Sequence, residues 1–503
     1  MADHLPGTAG SRLLVNGGGT DMDRIPAQAD VIVIGAGAAG LAAALTAAEG
    51  GAKVVLFEKE RSPGGTSNFF EGTFAVESDM QRERYITYSR DEAFKNIMEY
   101  NHWLANPRLV RAIVNESGAT IGWLQKQGVV FTDATINMPD APRTYHVVKG
   151  KGEAAVMALT LKAREKGVDI RLAAPVKNIV RQGERITGVT VETDGQKVTV
   201  SAGAVIIASG GYANHKEWLK KYTGFDLGVN LVPVGNVDKT GDGIRMAWEL
   251  GAADEGKSLL ELYRVGPAGP DFNMGSQLEY AVVQPDLWVS PQGERFCDES
   301  IAFYDATVGN ANARFKEGFT YSLFNDAIIQ RMLERGIDKN PVISVPPGSK
   351  PVDIYKEIDT ALARKTSELY AGDTVEELAA QMKVSPAVLR ATIDEYNAFC
   401  DKRHDDLFAK DPRYLYPLKS PKYYAVKART VFLGTMGGIK INERAEVVAK
   451  SGAVMPGLYA AGFDAGGMYG DSYPIKCASG LSSAFAFNSG RIAGRNALKY
   501  TGK

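Results

Sequence analysis

The sequence predicts an α/β fold: a parallel sheet covered by helices, with an α+β domain inserted into it. Three observations predict it. The apolar run 31–34 reads as a strand buried on both faces, as in parallel sheets. It runs into Gly35-Ala-Gly-Ala-Ala-Gly40, and an alanine-rich helix over 41–49 follows. A second apolar strand, 54–57, ends in Glu58, 23 residues after Gly35.

Together these make a G-x-G-x-x-G dinucleotide unit. Gly35 allows the tight turn, Gly37 lets a pyrophosphate approach the backbone, and Gly40 lets the helix pack on the strand. The helix start offers free N–H groups and a positive dipole end to phosphate. Glu58 stands where an acid accepts hydrogen bonds from a ribose. An acid there, not an arginine, favours an unphosphorylated ribose, as in FAD or NAD.

Further along, Arg61-Ser-Pro-Gly-Gly-Thr-Ser-Asn supplies small residues, Gly64, Gly65, Thr66 and Ser67, whose N–H and hydroxyl groups suit a large ligand. A plain Pro-Gly turn is the alternative. Residues 76–128 read as helices, with Asp91 an N-cap and Pro107 at the first position of another. His102, beside Trp103, reads as a packing residue, since no second metal ligand is near. Residues 168–172 and 174–200 read as strands, the latter a hairpin or meander. Ala204-Val-Ile-Ile-Ala-Ser-Gly-Gly reads as a further buried strand returning to the dinucleotide crevice. Thr240-Gly-Asp-Gly opens a helix that Asp242 is placed to cap. Mixed strands and helices over 257–425 read as an inserted domain. The last segment returns to strand, turn and helix, the final helix covering 481–498. Its N-terminal amides suit the N1–C2=O edge of a flavin.

Composition narrows the function classes. The chain has 503 residues and a net charge of −1, so nothing points to nucleic acid or an anionic membrane surface. Cys297, Cys400 and Cys477 are far apart and fit no metal or disulfide pattern. No metal is expected. No apolar segment reaches the roughly 18 residues of a membrane span. Residues 1–29 lack the apolar core of a signal peptide and read as an arm or surface strap. A cytoplasmic location is the default.

The motifs, in order, resemble the fumarate reductase/succinate dehydrogenase flavoprotein family (FAD-dependent oxidoreductase 2), which includes the 3-ketosteroid dehydrogenases. The residues that carry the resemblance are the G-x-G-x-x-G with Glu58, Gly64-Gly-Thr-Ser, Ala208-Ser-Gly-Gly, Thr240-Gly-Asp-Gly, Gly293-Glu-Arg-Phe-Cys-Asp-Glu, Thr435-Met-Gly-Gly-Ile and Gly457-Leu-Tyr-Ala-Ala-Gly. The resemblance implies a Rossmann-like, glutathione-reductase-type FAD domain in two pieces, 30–256 and 426–503. A capping substrate domain, 257–425, lies between them. It implies hydride exchange between flavin N5 and a carbon next to a carbonyl or carboxylate. FAD contacts are then expected at Gly35, Gly37, Ala38, Ala39, Gly40, Glu58, Lys59, Gly65, Thr66, Ser67, Gly72 and Val176. Further along they are expected at Ala208, Ser209, Gly210, Asn214, Gly241, Asp242, Gly462, Asp464, Gly480, Leu481 and Ser482.

Departures from the family pattern bear on the substrate. Where fumarate reductases carry an arginine acid after the Arg-Phe-x-x-Glu motif, this chain has Phe303 and Tyr304. Where they carry a carboxylate-binding arginine, it has Cys477, preceded by Lys476. The histidine pair is replaced by Val431-Phe-Leu-Gly, and no histidine stands near Gly64-Gly-Thr-Ser to link a flavin. Fumarate is therefore not the expected substrate, and the FAD is expected to be non-covalent. Ketosteroid dehydrogenases use tyrosines instead, which Tyr304 and Tyr473-Pro474 resemble. Tyr473, Tyr304, Lys476 and Arg264 are the catalytic candidates. Tyrosine O–H groups polarise or protonate without a buried charge. The sequence thus reads as an FAD-dependent enzyme reducing or forming a C=C bond conjugated to a carbonyl or carboxylate. Its partners are a small unsaturated substrate and an unknown electron donor or acceptor. A 3-ketosteroid dehydrogenase and a non-catalytic electron-transfer subunit are the alternatives.

Overall fold

The computed structural model describes residues 25–193, 195–235, 237–268, 276–341 and 345–503. The expected arm over 1–29 falls outside them up to residue 24. The larger sheet has eight strands, five of them parallel in the order Val454–Ala460, Gln196–Ile207, Gln28–Ile34, Val54–Phe57, Asp169–Arg171, with Glu446–Val448, Arg185–Thr193 and Val176–Gln182 added antiparallel. Val31 sits between Val54 and Ala204 across the ladder, and Val31, Ile32 and Val33 are fully buried. Burial on both faces is why that run shows no polar alternation. The helix Ala38–Glu49 packs on the final helix, Leu481–Tyr500. The expected α/β architecture is the one observed.

Four local readings are corrected. The strand expected to start afresh at Ala204 is one strand, Gln196–Ile207. Ser201 pairs with Gly188 on one side and Gln28 on the other, so the ladder never breaks. The N-cap of Arg90–Tyr100 is Ser89, not Asp91: Ser89 and Glu92 form a reciprocal capping box that satisfies two orphan donors. Asp242 does not cap its helix; Gly241 holds the N-cap position, and the Asp242 carboxylate pairs with Lys59 at 2.9 Å. His102 is an exposed residue whose Nδ1 lies 2.7 Å from Asp471, rather than a packing residue. Pro107 does open the helix Pro107–Lys126, capped by Asn106.

A second, mixed sheet is organised on the long strand Tyr423–Thr435. Leu260–Val265, Phe319–Asn325 and Leu369–Gly372 pair antiparallel to it, and Val232–Pro233 pairs parallel. This sheet and its helices hold a separate core that includes Leu287, Leu323, Phe324, Ile354, Leu378 and Tyr396. The strand Tyr423–Thr435 runs through the expected boundary at 425 and carries the chain from that core back to the parallel sheet. A small antiparallel sheet of Gly72–Phe74, Tyr145–Val148 and Phe131–Thr135 closes a third side. Among the described residues no helix is long and apolar enough to cross a membrane, and no cluster of metal-ligating side chains forms.

Candidate active site

A cleft of about 550 Å³ opens at the C-terminal ends of the parallel strands. Ile34, Phe57, Ala208 and Ala461, each at or just past a strand end, line its floor. Open α/β sheets bind ligands at this end because the strand-to-helix turns there present unpaired backbone groups. Gly35 has φ +104°, and a Cβ on it would strike the Ala208 carbonyl. A Cβ on Gly40 would strike the Gly35 carbonyl, so the turn tolerates no side chain at either position. The helix that follows begins at Gly37 with no side-chain cap.

One end of the cleft is polar. Glu58 accepts the Ala36 N–H at 2.7 Å and the Glu60 N–H at 2.9 Å, which fixes its carboxylate on the wall. Burial raises its pKa, and these two N–H groups oppose the shift. Lys59 Nζ is held by Asp238 at 3.0 Å, Asp242 at 2.9 Å and Thr240 Oγ1 at 3.0 Å. Ser67 Oγ accepts the Ala38 N–H at 2.9 Å.

The other end is closed by Phe69, Phe70, Leu433 and Phe463, with Lys239, Glu261, Ser482 and Ser483 as its polar groups. Glu261 Oε1 accepts from the Tyr263 hydroxyl at 3.2 Å and from Ser482 Oγ at 3.5 Å. Burial pushes Glu261 up to about 7, against the pull of Tyr263, Ser482 and Lys239. Burial likewise brings Lys239 down to about 8. Lys239 Nζ donates to the Leu433 carbonyl at 3.0 Å, and Asn214 pins its backbone at both N–H and C=O.

The expected cofactor residues divide into two groups. Gly35, Gly37, Ala38, Ala39, Glu58, Lys59, Gly65, Thr66, Ser67, Val176, Ala208, Ser209, Gly210, Asp242, Gly462 and Ser482 all line the cleft. The others stand behind the wall. Gly40 backs Gly35, and Gly241 packs under Trp218. Asp464 ties the Ser209 hydroxyl and the Gly210 and Gly211 N–H groups together. Asn214 holds Lys239, and Gly72 receives the Ser483 hydroxyl at 2.9 Å. Gly480 is the N-cap of the last helix, and the Leu481 side chain lies in the core.

The catalytic candidates separate more sharply. Tyr473 is buried, and its hydroxyl oxygen accepts the Ser482 N–H at 3.3 Å, at the start of the last helix. Tyr304 is half-buried and donates to the Pro139 carbonyl at 3.3 Å, and Lys476 lies exposed over its ring at 5.3 Å. None of the three side chains lines the cleft; Tyr473 stands behind Ser482, which does. Arg264 is buried within the second sheet. Its guanidinium donates to Thr320 Oγ1 at 3.0 Å, Val282 O at 3.2 Å and Ser322 Oγ at 2.8 Å, and it covers the Trp288 ring at 3.8 Å. The structure thus gives Arg264 a packing role.

Sequence reasoning missed Lys239, Glu261 and Tyr263. A lone acid in the strand Leu260–Val265 was a signal, because an alternating strand packed on both sides has no ordinary place for a charge.

The cleft suits an elongated polar ligand: two buried atoms on its wall, Thr66 Oγ1 and Glu261 Oε2, have no hydrogen-bond partner in the protein. A family model described as an FAD binding domain matches residues 30–481.

The chain belongs to that FAD-binding family.

This flavoprotein is 35% identical over 481 residues to the vinyl phenol reductase of Lactiplantibacillus plantarum, a match covering 94% of this chain and 97% of that one. The open conformation of a flavocytochrome c3 fumarate reductase matches with a TM-score of 0.72 at 26% identity, over 94% of this chain and 78% of that chain. A 3-ketosteroid delta1-dehydrogenase from Sterolibacterium denitrificans shares the fold, with a TM-score of 0.78 at 19% identity over 94% of this chain and 100% of that chain. The flavoprotein is an FAD-dependent oxidoreductase of the class that acts on carbon–carbon double bonds.

Proposed function

We propose that FAD lies non-covalently along the cleft and that the enzyme reduces the C=C bond of a small conjugated molecule other than fumarate. Glu58 takes the ribose hydroxyls, and the turn 35–40 takes the pyrophosphate on the helix N-terminus. The ring end lies against Ser482, Glu261 and Lys239. Residues 30–256 and 426–503 then act as the FAD domain and 257–425 as the cap. Bound FAD supplies the hydride.

Tyr473 supplies the proton. The observation that carries this is its hydroxyl oxygen on the Ser482 N–H. That contact leaves the O–H proton free to be given away. The N-terminus of Leu481–Tyr500 then stabilises the oxygen left behind. A conjugated carbonyl, carboxylate or phenol ring is needed on the substrate to delocalise charge as the bond is reduced. Likeness to a vinyl phenol reductase puts phenol-conjugated alkenes first. Phe303, Tyr304 and Cys477 offer no paired cations for two carboxylates, which would enter a low-dielectric site uncompensated. Cys297, Cys400 and Cys477 are all free, which suits a reducing, cytoplasmic setting.

Two experiments test the reading. Acid precipitation should release the flavin into the supernatant; flavin retained in the pellet would show a covalent link. The dithionite-reduced enzyme should be offered 4-vinylphenol, acrylate, urocanate, a 4-ene-3-ketosteroid and fumarate. Fast reoxidation by fumarate, or by none of the five, would overturn the substrate proposal.

A further inference from the structure

Four polar groups from two distant parts of the chain meet where the cleft ends. Ser482 Oγ stands between two of them: it lies 3.5 Å from Glu261 Oε1, and it also hydrogen-bonds the Tyr473 hydroxyl. Tyr263 braces Glu261 from the strand Leu260–Val265 at 3.2 Å. Glu261 is 1% exposed, yet its second oxygen, Oε2, has no partner in the protein and its side chain borders the cleft. A buried carboxyl in such a place is either an uncompensated cost or a group in use.

Resting on the reading of Tyr473 as the acid, we propose that Glu261 is the proton relay that reloads it, with Ser482 Oγ as the bridge. After Tyr473 gives its proton to carbon, its O–H bond is broken and its oxygen carries the charge. Ser482 passes its hydroxyl proton to that oxygen and takes one from the Glu261 carboxyl. Glu261 then regains a proton from water entering the cleft. No electrons move in these steps; the hydride comes from the cofactor, which an external two-electron donor reloads.

The charged and titratable groups acting on Glu261 are consistent with this. Lys239 acts from the loop before Thr240, and Tyr263 from its own strand. Tyr473 and Tyr469 act from the loop before the last helix, and Tyr145 from the small sheet. Each tyrosine is driven by burial to keep its proton in the resting enzyme. Glu261 at about 7 and Lys239 at about 8 are the groups able to change protonation near neutral pH. Of these two, Glu261 is the one that touches Ser482. The Arg295–Glu299 pair beside the second sheet does not line the cleft and takes no part.

The test uses the holoenzyme and four variants. First, the infrared difference between wild type and E261Q should contain a protonated-carboxyl band that titrates away across neutral pH. This readout needs no turnover. Second, steady-state turnover with 4-vinylphenol and dithionite should fall as pH rises through that titration. E261Q should lose roughly ten-fold or more and flatten the pH profile, within the range a positioned proton donor contributes. E261D should restore the profile. S482A should show the same loss with the infrared band still present. A band that does not titrate, or a wild-type pH profile in E261Q, overturns the relay. Tyr473→Phe separates the two readings: wild-type turnover there removes acid and relay together. Slow turnover there, with E261Q unaffected, removes the relay alone.

Discussion

Two buried charge clusters in this protein are built to opposite ends. Beside the second sheet, Arg295 makes a two-pronged bond to Glu299 at 2.8 and 2.7 Å and a third to Asp405 at 2.7 Å. Lys410 adds a bond to Glu299 at 3.2 Å, and the Trp288 N–H another at 3.3 Å, so both Glu299 oxygens are engaged. None of these residues lines the cleft. At the end of the cleft, Glu261 has one oxygen engaged and one bare, with Lys239 acting on it through space. A carboxylate saturated by hydrogen bonds and cations holds elements together. One left short of partners keeps its proton near neutral pH and can exchange it. Glu299 stands in the Gly293-Glu-Arg-Phe-Cys-Asp-Glu motif and Glu261 in none, yet it is Glu261 that borders the cleft.

The comparison can be broken most severely at Tyr473. Tyr473→Phe removes one O–H and should cut turnover by roughly 10²–10⁴-fold while FAD content holds. Single-turnover reoxidation of the reduced enzyme reads this directly. Glu299→Ala should do the reverse. It strands Arg295 and Lys410 and should cost about 3–5 kcal/mol in denaturant unfolding. FAD affinity of the folded protein should be unchanged, and a large loss of affinity would show that the Arg295–Glu299 network reaches the site.

Stability against pH sharpens the same contrast. Burial raises Glu261 from 4.5 to about 7, so between those values the folded chain holds a proton that the unfolded chain has lost. Its contribution is fully present below pH 4.5 and is lost as pH rises to about 7, roughly 3 kcal/mol in all. Urea unfolding at a series of pH values should show that slope in the wild type and not in E261Q. Glu58→Ala should weaken FAD binding by on the order of 1.5–3 kcal/mol for each ribose hydrogen bond lost, read by titrating the apoprotein. The smallest effect belongs to Tyr304→Phe. Its hydroxyl bonds the Pro139 carbonyl away from the cleft, so turnover should stay within about three-fold of wild type.

Where the sequence was legible, the signal was local. The apolar run 31–34, the glycines at 35, 37 and 40 and the acid at 58 each constrain the backbone within a few residues, and together they form the crevice. Capping was less legible, because several residues compete for one role: Ser89 outbid Asp91 through its reciprocal partner Glu92, and Lys59 drew Asp242 into an ion pair. The catalytic candidates were chosen by position relative to motifs. That position says nothing of which way a side chain turns.

By itself, then, the sequence determined the parallel sheet and the dinucleotide turn. Those are properties of short segments and of residue type. Tertiary structure alone decided that Tyr473 reaches the start of the last helix while Tyr304 faces Pro139. It also decided that Arg264 is spent on Thr320 and Ser322, and that Glu261 meets Ser482. Glu261 and Ser482 are 221 residues apart in the chain. Their meeting depends on how two sheets pack across the cleft, and no local pattern encodes a distance of that kind.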